Sequence, residues 1–508
     1  MSQQTKIYDF VIIGSGIGGL TCGALLSKKG FSVLILEKNN QIGGCLQIFS
    51  RDKNIFDTGV HYIGGLQPGG NLNRFFNYLG ILKDLKIHPL DEEGFDVMYF
   101  QDGSKYAFGQ GYDRFKSQLK KDFPNESQAI DVFCDQIKNV CTYFPLYELK
   151  TTSEFNYNNQ PDILTLNTKS FLEEITKDER LIAVLGGTGL LYGLDDETPF
   201  YVLALIMNSF ILGSYRISDG GSHIAKAMVK VIKSQGGEVL KRKEMTHAEV
   251  DENRSVQRVF MKDGTSYSGK HFISNLHPND TIRLFGTQHF LNAYKNRISK
   301  LENTPSSFVV YLSLKPNKIK YFNHNYYWHR SNQVFSFIKN KETWPNVLFI
   351  ACGHHSKNEE YTTSMSITTY MDFQEVEEWS TSYNTVFEKN TRNQAYEAFK
   401  RLKEKQILEV LTQVFPDIHE AIDAVYSSTP LTYRDYLGNK DGNLYGIAKK
   451  SSLPLETNIQ ARTKLPNLFL TGQNTVFHGI LGATISGFVT AFHFIDREEV
   501  INEINDMP

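Results

Sequence analysis

Residues 7–19, IYDFVIIGSGIGG, decide the fold. The apolar run Ile7–Ile13 has the β-branched and aromatic content of a buried strand, and Gly14-Ser15-Gly16-Ile17-Gly18-Gly19 follows with no spacer. A helical run to Lys29, then Gly30 and a second strand, FSVLILE, complete the unit, and the acidic Glu37 stands 18 positions beyond Gly19. A bare GxGxxG says little, but strand before, helix after and acid beyond predict a βαβ unit that binds a dinucleotide. Gly14 permits the tight turn, Gly16 lets the backbone approach a pyrophosphate, and Gly19 allows the helix to close on the sheet, with Gly18 in the same loop. The helix N-terminus offers free N–H groups and a positive dipole end to the phosphates. Glu37 can accept both hydroxyls of an adenosine ribose. The plain alternative is a glycine-rich turn in a βαβ unit without a ligand.

Working outward, Lys38-Asn39-Asn40-Gln41-Ile42-Gly43-Gly44-Cys45 comes next. With Glu37 it resembles the E-K-x(3-4)-G-G stretch of flavoproteins of the glutathione-reductase type. That resemblance implies FAD, with Lys38, Gly43 and Gly44 at the cofactor. At the far end, Asn467-Leu468-Phe469-Leu470-Thr471-Gly472-Gln473 and then Gly479-Ile480-Leu481-Gly482-Ala483-Thr484-Ile485-Ser486-Gly487 are similar to the last flavin-binding motif of the same superfamily. Gly472, Gln473, Gly479, Leu481 and Gly482 are thereby implied at the flavin. Small residues let a helix N-terminus come close, and its dipole can stabilise negative charge at N1 and the C2 carbonyl. Gln473 replaces the acid that often binds the ribityl chain, and an amide still hydrogen-bonds a hydroxyl.

A third island lies mid-chain. Gly220-Gly221-Ser222 precedes a helical run with Ile224, Met228 and Val231 on one face, and Met245–Val250, Val256–Val259 and His271–Asn275 read as strands. In the flavin desaturase and amine oxidase families a matching stretch returns to the cofactor domain, which implies that Met245 lies against adenine; otherwise it is an ordinary strand residue. The expected fold class is α/β: a glutathione-reductase-type, Rossmann-like FAD-binding domain with an inserted α+β substrate domain. The cofactor domain is expected from 1–85, 218–300 and 460–508, and the substrate domain from 86–217 and 301–459, because 508 residues exceed one core.

Composition excludes several classes. The net charge of -2 and 22% charged residues argue against a nucleic-acid surface. Five cysteines without CxxC spacing give neither a disulfide framework nor a metal site. His354-His355 are neighbours and would face opposite ways in a strand, so no metal is expected. The longest apolar run, Tyr201–Gly213, is 13 residues, too short to span a bilayer. It fits a core helix, a tunnel wall or a membrane-facing helix. No signal peptide is read, so the protein is expected in the cytoplasm, with peripheral membrane contact left open. With 35 Phe and 26 Tyr, an apolar substrate cavity and a compositional bias are equally good explanations.

Residues 57–64, Asp-Thr-Gly-Val-His-Tyr-Ile-Gly, narrow the resemblance. With Gly43-Gly44-Cys45, Gly213-Ser214-Tyr215, Ser428-Thr429-Pro430-Leu431-Thr432 and Leu470-Thr471-Gly472-Gln473, they are similar to the retinol saturase branch of the carotenoid and phytoene desaturase superfamily. The resemblance implies an FAD-dependent oxidoreductase acting on C–C bonds of an apolar polyene or isoprenoid, saturating a double bond. Desaturation, flavin-dependent isomerisation and noncatalytic flavin or lipid binding remain as alternatives. Stretches 141–160 and 317–346 are aromatic and weakly patterned, and share little with the family; regions so placed in this superfamily cap the substrate tunnel or touch the membrane. NAD(P)H as a transient reductant, a carrier protein or a quinone could each exchange electrons, since Gly187-Thr188-Gly189 breaks the spacing of a second dinucleotide motif. His61 and Tyr62 are the first catalytic candidates and His478 the second. A histidine with a reference pKa near ~6.5 suits proton delivery, though each could equally be structural. Tyr436 and Tyr445 read as core aromatics near the same region.

Overall fold

The computed structural model describes residues 6–151, 161–338, 340–353, 360–386, 388, 392–439 and 441–507. Part of the 141–160 stretch and the pair His354 and His355 lie outside the described residues.

One seven-stranded sheet has the order Glu238–Leu240, Val33–Leu36, Ile7–Ile13, Ser266–Ser274, Val256–Met261, Met245–Val250, with Leu468–Leu470 beside the end of Ser266–Ser274. Its strands thus come from the three sequence islands. Five of them run parallel; Glu238–Leu240 is at the edge, and the other four are in register at their C-terminal ends: Ile13 pairs with Leu36 and with Ser274, and Ser274 pairs with Leu470. The chain leaves all four strands at one edge, and Ile7–Ile13 has a sequence-distant neighbour on one side. That is the switch-point crevice where open α/β sheets bind ligands. The segments Val256–Met261 and Met245–Val250 add an antiparallel extension on the far side.

Helix Ile17–Lys28 packs against helices Ser222–Ser234 and Gly479–Ala491. The approach to Gly479–Ala491 needs a missing side chain: a Cβ on Gly487 would sit 2.8 Å from the Thr21 Cβ. On Ser222–Ser234 the inward face holds Ile224, Met228 and Ile232, and Val231 is only partly buried. The spacing of four residues fits the helical period better than the expected Val231.

The second seven-stranded sheet runs Ile422–Ser428, Ser306–Leu314, Ser364–Met371, Val347–Cys352, Asn325–His329, Asp96–Phe100, Lys105–Phe108. All pairs are antiparallel except Asn325–His329 with Asp96–Phe100. Both faces are covered. Tyr327, Phe349 and Tyr370 belong to the core shared with the first sheet's helices, and Trp328, Leu348 and Ile350 pack with Ile407 and Leu411 of helix Gln394–Leu411. Every residue of Ser306–Leu314 and of Val347–Cys352 is buried. Two-sided burial removes the polar–apolar alternation by which a strand is read from sequence.

Helix Phe200–Leu212 follows Pro199, whose extended backbone makes it the residue before the helix rather than its first turn. Ten of its residues are buried, Leu212 alone being a large exposed apolar group there, so it is a packed helix of the interior. No helix among the described residues is long and apolar enough to cross a membrane.

Candidate functional site

The residues that follow the four aligned strand ends build one wall of a cavity of about 440 Å³. Gly14, Glu37, Asn275 and Gly472 all line it, and each comes directly after or within two residues of a strand end. The glycines are dictated by crowding. A Cβ on Gly16 would lie 2.7 Å from the Asn275 Nδ2, and one on Gly18 would lie 2.6 Å from the Gly472 Cα. Gly14 and Gly472 also have φ of +93°, which side chains rarely adopt. Gly19 does not line the cavity; a Cβ there would meet the Gly14 carbonyl oxygen at 2.4 Å, so it serves the packing of helix on turn.

Glu37 is buried, and its carboxylate ties the glycine loop to the second strand. Ser15 N–H and Oγ donate to Oε2 at 3.1 and 2.5 Å, and Asn39 N–H donates to Oε1 at 2.8 Å. Each oxygen keeps acceptor capacity toward the cavity it lines. Gly43 N–H donates to the same Ser15 Oγ at 3.1 Å, which brings Gly43 and Gly44 over the loop. Lys38, Gly43, Gly44, Met245, Gln473, Gly479, Leu481 and Gly482 line the cavity as well. Lys38 Nζ donates to the Asp435 carbonyl at 3.4 Å, and burial lowers its pKa. Gln473 Nε2 donates to the Leu444 carbonyl at 3.3 Å.

The opposite end of the cavity is apolar and aromatic. Tyr201, Val202, Leu205, Ile206, Ser209 and Phe210 form one flank of helix Phe200–Leu212 that faces it. Phe349 from the second sheet and Tyr445 close that side, with the Tyr445 hydroxyl donating to the Leu190 carbonyl at 3.3 Å; Tyr436 lines the cavity too.

His61 and Tyr62 line the main cavity and also a second cavity of about 40 Å³. Burial, with the nearby Arg216, pushes the His61 pKa down to about 4, and its Nδ1 stands 3.4 Å from Ser366 Oγ. Near neutral pH the imidazole is uncharged, so its reference pKa does not describe it here. The ring of Tyr62 stacks on Phe210 at 4.3 Å between centroids. Its hydroxyl points into a buried network: it donates to Asp96 Oδ2 at 2.7 Å and lies 2.8 Å from the Tyr327 hydroxyl. Asn325 Nδ2 donates to Asp96 Oδ1 at 2.8 Å, and Arg216 donates to Asn325 Oδ1 at 2.9 Å. Burial outweighs the Asn325 and Tyr62 hydrogen bonds and the charge of Arg216, which reaches Asp96 through Asn325, and pushes the Asp96 pKa up to about 7. Asp57 lines only the smaller cavity. It accepts from Gly221 N–H at 2.7 Å, and burial pushes it up to about 7. Thr58 through Gly64 line the main cavity, and Asp57 does not. His478 lines the main cavity, its Nε2 is 3.2 Å from the Ile447 carbonyl, and burial pushes its pKa down to about 3.

Asn275 and Lys449 are among the lining residues that the sequence reading did not single out. Asn275 lies against two glycine segments, the 14–19 loop and Gly472, and its only signal is its place after a strand whose register the sequence does not give. Lys449 sits in Lys449-Lys450, a pair that reads as surface, yet it is buried and lines the cavity. Among the described residues no group of three or more His, Cys, Asp or Glu is placed to hold a metal ion, and the cysteines are free thiols.

The crowded, side-chain-free turns at the strand ends, a helix N-terminus at Gly479 and a polar wall leading into an apolar one fit an elongated dinucleotide-type cofactor. A family model described as an NAD(P)-binding Rossmann-like domain matches residues 12–79. An all-trans-retinol 13,14-reductase of Danio rerio is 26% identical over 542 aligned positions, covering 96% of this chain and 86% of the relative. A chloroplastic prolycopene isomerase 2 of an Oncidium hybrid cultivar is 24% identical, covering 96% of this chain and 84% of the relative. The solved cyclohexylamine oxidase of Brevibacterium oxydans superposes with a TM-score of 0.62 at 15% identity, covering 98% of this chain and 99% of that one, a likeness of fold. An all-trans-retinol 13,14-reductase of Rattus norvegicus is 28% identical, covering 95% of this chain and 85% of the relative. Fold and site define a Rossmann-like protein with a cavity shaped for a dinucleotide-type cofactor.

Proposed function

We propose that this protein binds FAD and saturates one C=C bond of an apolar polyene or isoprenoid of the retinol or carotenoid kind. The observation that carries the proposal is a single continuous cavity: the glycine turns and Glu37 line one part, and the apolar flank of helix Phe200–Leu212 lines another. The relatives' names point to the same substrate class. Segments 1–85, 218–300 and 460–508 hold the cofactor, and 86–217 with 301–459 hold the substrate.

In this reading Gly14, Gly16 and Gly18 give the diphosphate room, Gly19 keeps the helix closed on the turn, Glu37 holds the ribose, and Lys38 and Met245 flank the adenosine. Gly43, Gly44, Gly472, Gln473, Gly479, Leu481 and Gly482 hold the ribityl and ring portions. When bound, the flavin supplies hydride transfer. The protein's own work is to orient the polyene along the apolar flank, exclude water and deliver one proton to the second alkene carbon. His61, between the two cavities, passes that proton from the smaller polar one to the larger. Tyr62 holds the ring wall in place through Asp96, and His478 borders the helix N-terminus.

A second reading is flavin-dependent isomerisation of a polyene. The observation favouring it is that burial keeps His61 and His478 from being imidazolium ions near neutral pH, so either ring relays a proton but is no strong acid, and isomerisation needs no net proton uptake. NAD(P)H, a carrier protein or a quinone would serve as reductant, and contact with a membrane surface would supply the substrate. One anaerobic experiment separates the readings. Prereduced enzyme mixed with a retinol-class polyene regains the oxidised flavin spectrum if it saturates the substrate. Bleaching of oxidised enzyme indicates desaturation. A changed double-bond geometry with no net flavin change indicates isomerisation. A purified protein that takes up no flavin refutes all three.

A further inference from the structure

Lys449 is a buried lysine, 5% exposed, that lines the main cavity. Its ammonium donates to the carbonyls of Thr457 and Thr475 at 2.8 and 2.9 Å. Three N–H donors are available and two are used. Among the described residues no carboxylate forms an ion pair with it, whereas its neighbour Lys450 has Glu197 and Glu302. A buried cation held only by neutral carbonyls is costly unless something anionic joins it. Burial alone brings its pKa down to about 7, far below that of an ordinary lysine. Its place narrows the partner. Thr475 lies between Gln473 and helix Gly479–Ala491, and the Lys449 charge also bears on His478, the residue before that helix. The positive end of a 13-residue helix and a buried ammonium therefore share one stretch of the cavity. Glu37 and Met245 lie elsewhere along it, at a strand end and a strand start of the first sheet.

We propose that Lys449 is a positioning and charge-compensating residue for the flavin's reduced state: its ammonium stabilises negative charge at the N1–C2 edge of the ring. The inference rests on the flavin reading above and assigns that reading a residue that sets the redox potential. Charge beside that edge favours the reduced over the oxidised ring and so raises its midpoint potential. It also favours the sulfite adduct, in which the sulfur lone pair forms a bond to N5 and an electron pair moves onto N1–C2=O as negative charge.

The test uses the full chain loaded with FAD, with wild type, Lys449→Met and Lys449→Arg compared. Three readouts are taken: flavin bound per chain, midpoint potential, and affinity for sulfite. Lys449→Met should keep its flavin, shift to a more negative potential and lose about tenfold or more in sulfite affinity, and Lys449→Arg should stay near wild type. A tenfold change in the same stabilisation corresponds to about 30 mV on a two-electron couple. If Lys449→Met does not fold, Lys449→Gln, whose amide still donates to the two carbonyls, carries the same comparison. Unchanged potential and sulfite affinity overturn the proposal. So does weakened flavin binding with an unmoved potential, which would place the ammonium at the diphosphate. A wild-type chain that binds no flavin overturns the flavin reading itself, and this is seen before any variant is compared.

Discussion

The two seven-stranded sheets contribute to one cavity by different means. The first presents backbone: four strand ends in register, then turns where side chains are missing because a Cβ would come within 2.6–2.7 Å of another group at Gly16 and Gly18. The second presents side chains: Phe349 toward the cavity, and behind it Tyr327 and Asp96 bound to the Tyr62 hydroxyl. A backbone site is specified by clearance and fails when anything is added. A side-chain site is specified by burial and fails when a partner is removed. In both, the cost of a change is set by close packing rather than by the strength of one bond.

The largest effect should come from adding bulk to the backbone side. Gly16→Val places branched carbon against Asn275 and in the space read as the pyrophosphate's; flavin absorbance per purified chain should fall to background. A variant that still purifies yellow at one flavin per chain would erase the contrast between the sheets at its strongest point.

Next is the residue where the two walls meet. His61→Gln retains hydrogen bonding without a titratable ring. Product formation from prereduced enzyme should slow about 10²–10⁴-fold while flavin remains bound. Lost flavin with an intact rate in the remaining holoenzyme would move His61 from the chemistry to the scaffold. Because its pKa is pushed down to about 4, no step in the rate near pH 6.5 is expected from this group.

A smaller effect concerns Glu37, whose carboxylate ties the glycine loop to the second strand. Glu37→Ala should weaken FAD binding by about 1.5–3 kcal/mol, the range for hydrogen bonds to a charged group, measured by flavin titration. It also frees the Ser15 N–H and Oγ, so loop order should fall with affinity. Unchanged affinity would show that the carboxylate only braces the loop.

The smallest is a slope with pH. Asp96 holds its proton to about pH 7 when folded, against an ordinary carboxyl value of 3.8 when unfolded. Between those values the folded chain binds the extra proton, so this group's contribution to stability falls as pH rises from about 4 to 7. The slope approaches about 1.4 kcal/mol per pH unit within that window. Asp57 acts in the same direction, and His61 in the opposite direction between about 4 and 6.5. Asp96→Asn should therefore flatten the decline in denaturant midpoint toward pH 7 relative to wild type. An identical pH profile would mean that Asp96 is ionised in its buried seat.

The backbone side was legible from residues 7–19, 37–44 and 472–487 because its requirements are local. A tight turn, a close approach and a helix start each demand small residues at fixed spacing, so Gly14, Gly16, Gly18, Gly43, Gly44, Gly472 and Gly482 carry their meaning in the chain itself. The apolar run before Gly213 likewise announced a helix, although whether it faced core, tunnel or membrane was open. Tertiary structure alone decided the rest. It brought strands 7–13, 266–274 and 468–470 into register and so gave Asn275 its place. It turned one flank of Phe200–Leu212 to the cavity, and it aimed the Tyr62 hydroxyl at Asp96, 34 positions away. It also buried Lys449 with carbonyls for company, where the sequence shows two adjacent lysines. Spacing can encode where a chain must turn. It cannot encode which distant groups close over a charge, and that closure sets the pKa of His61, Asp96 and Lys449.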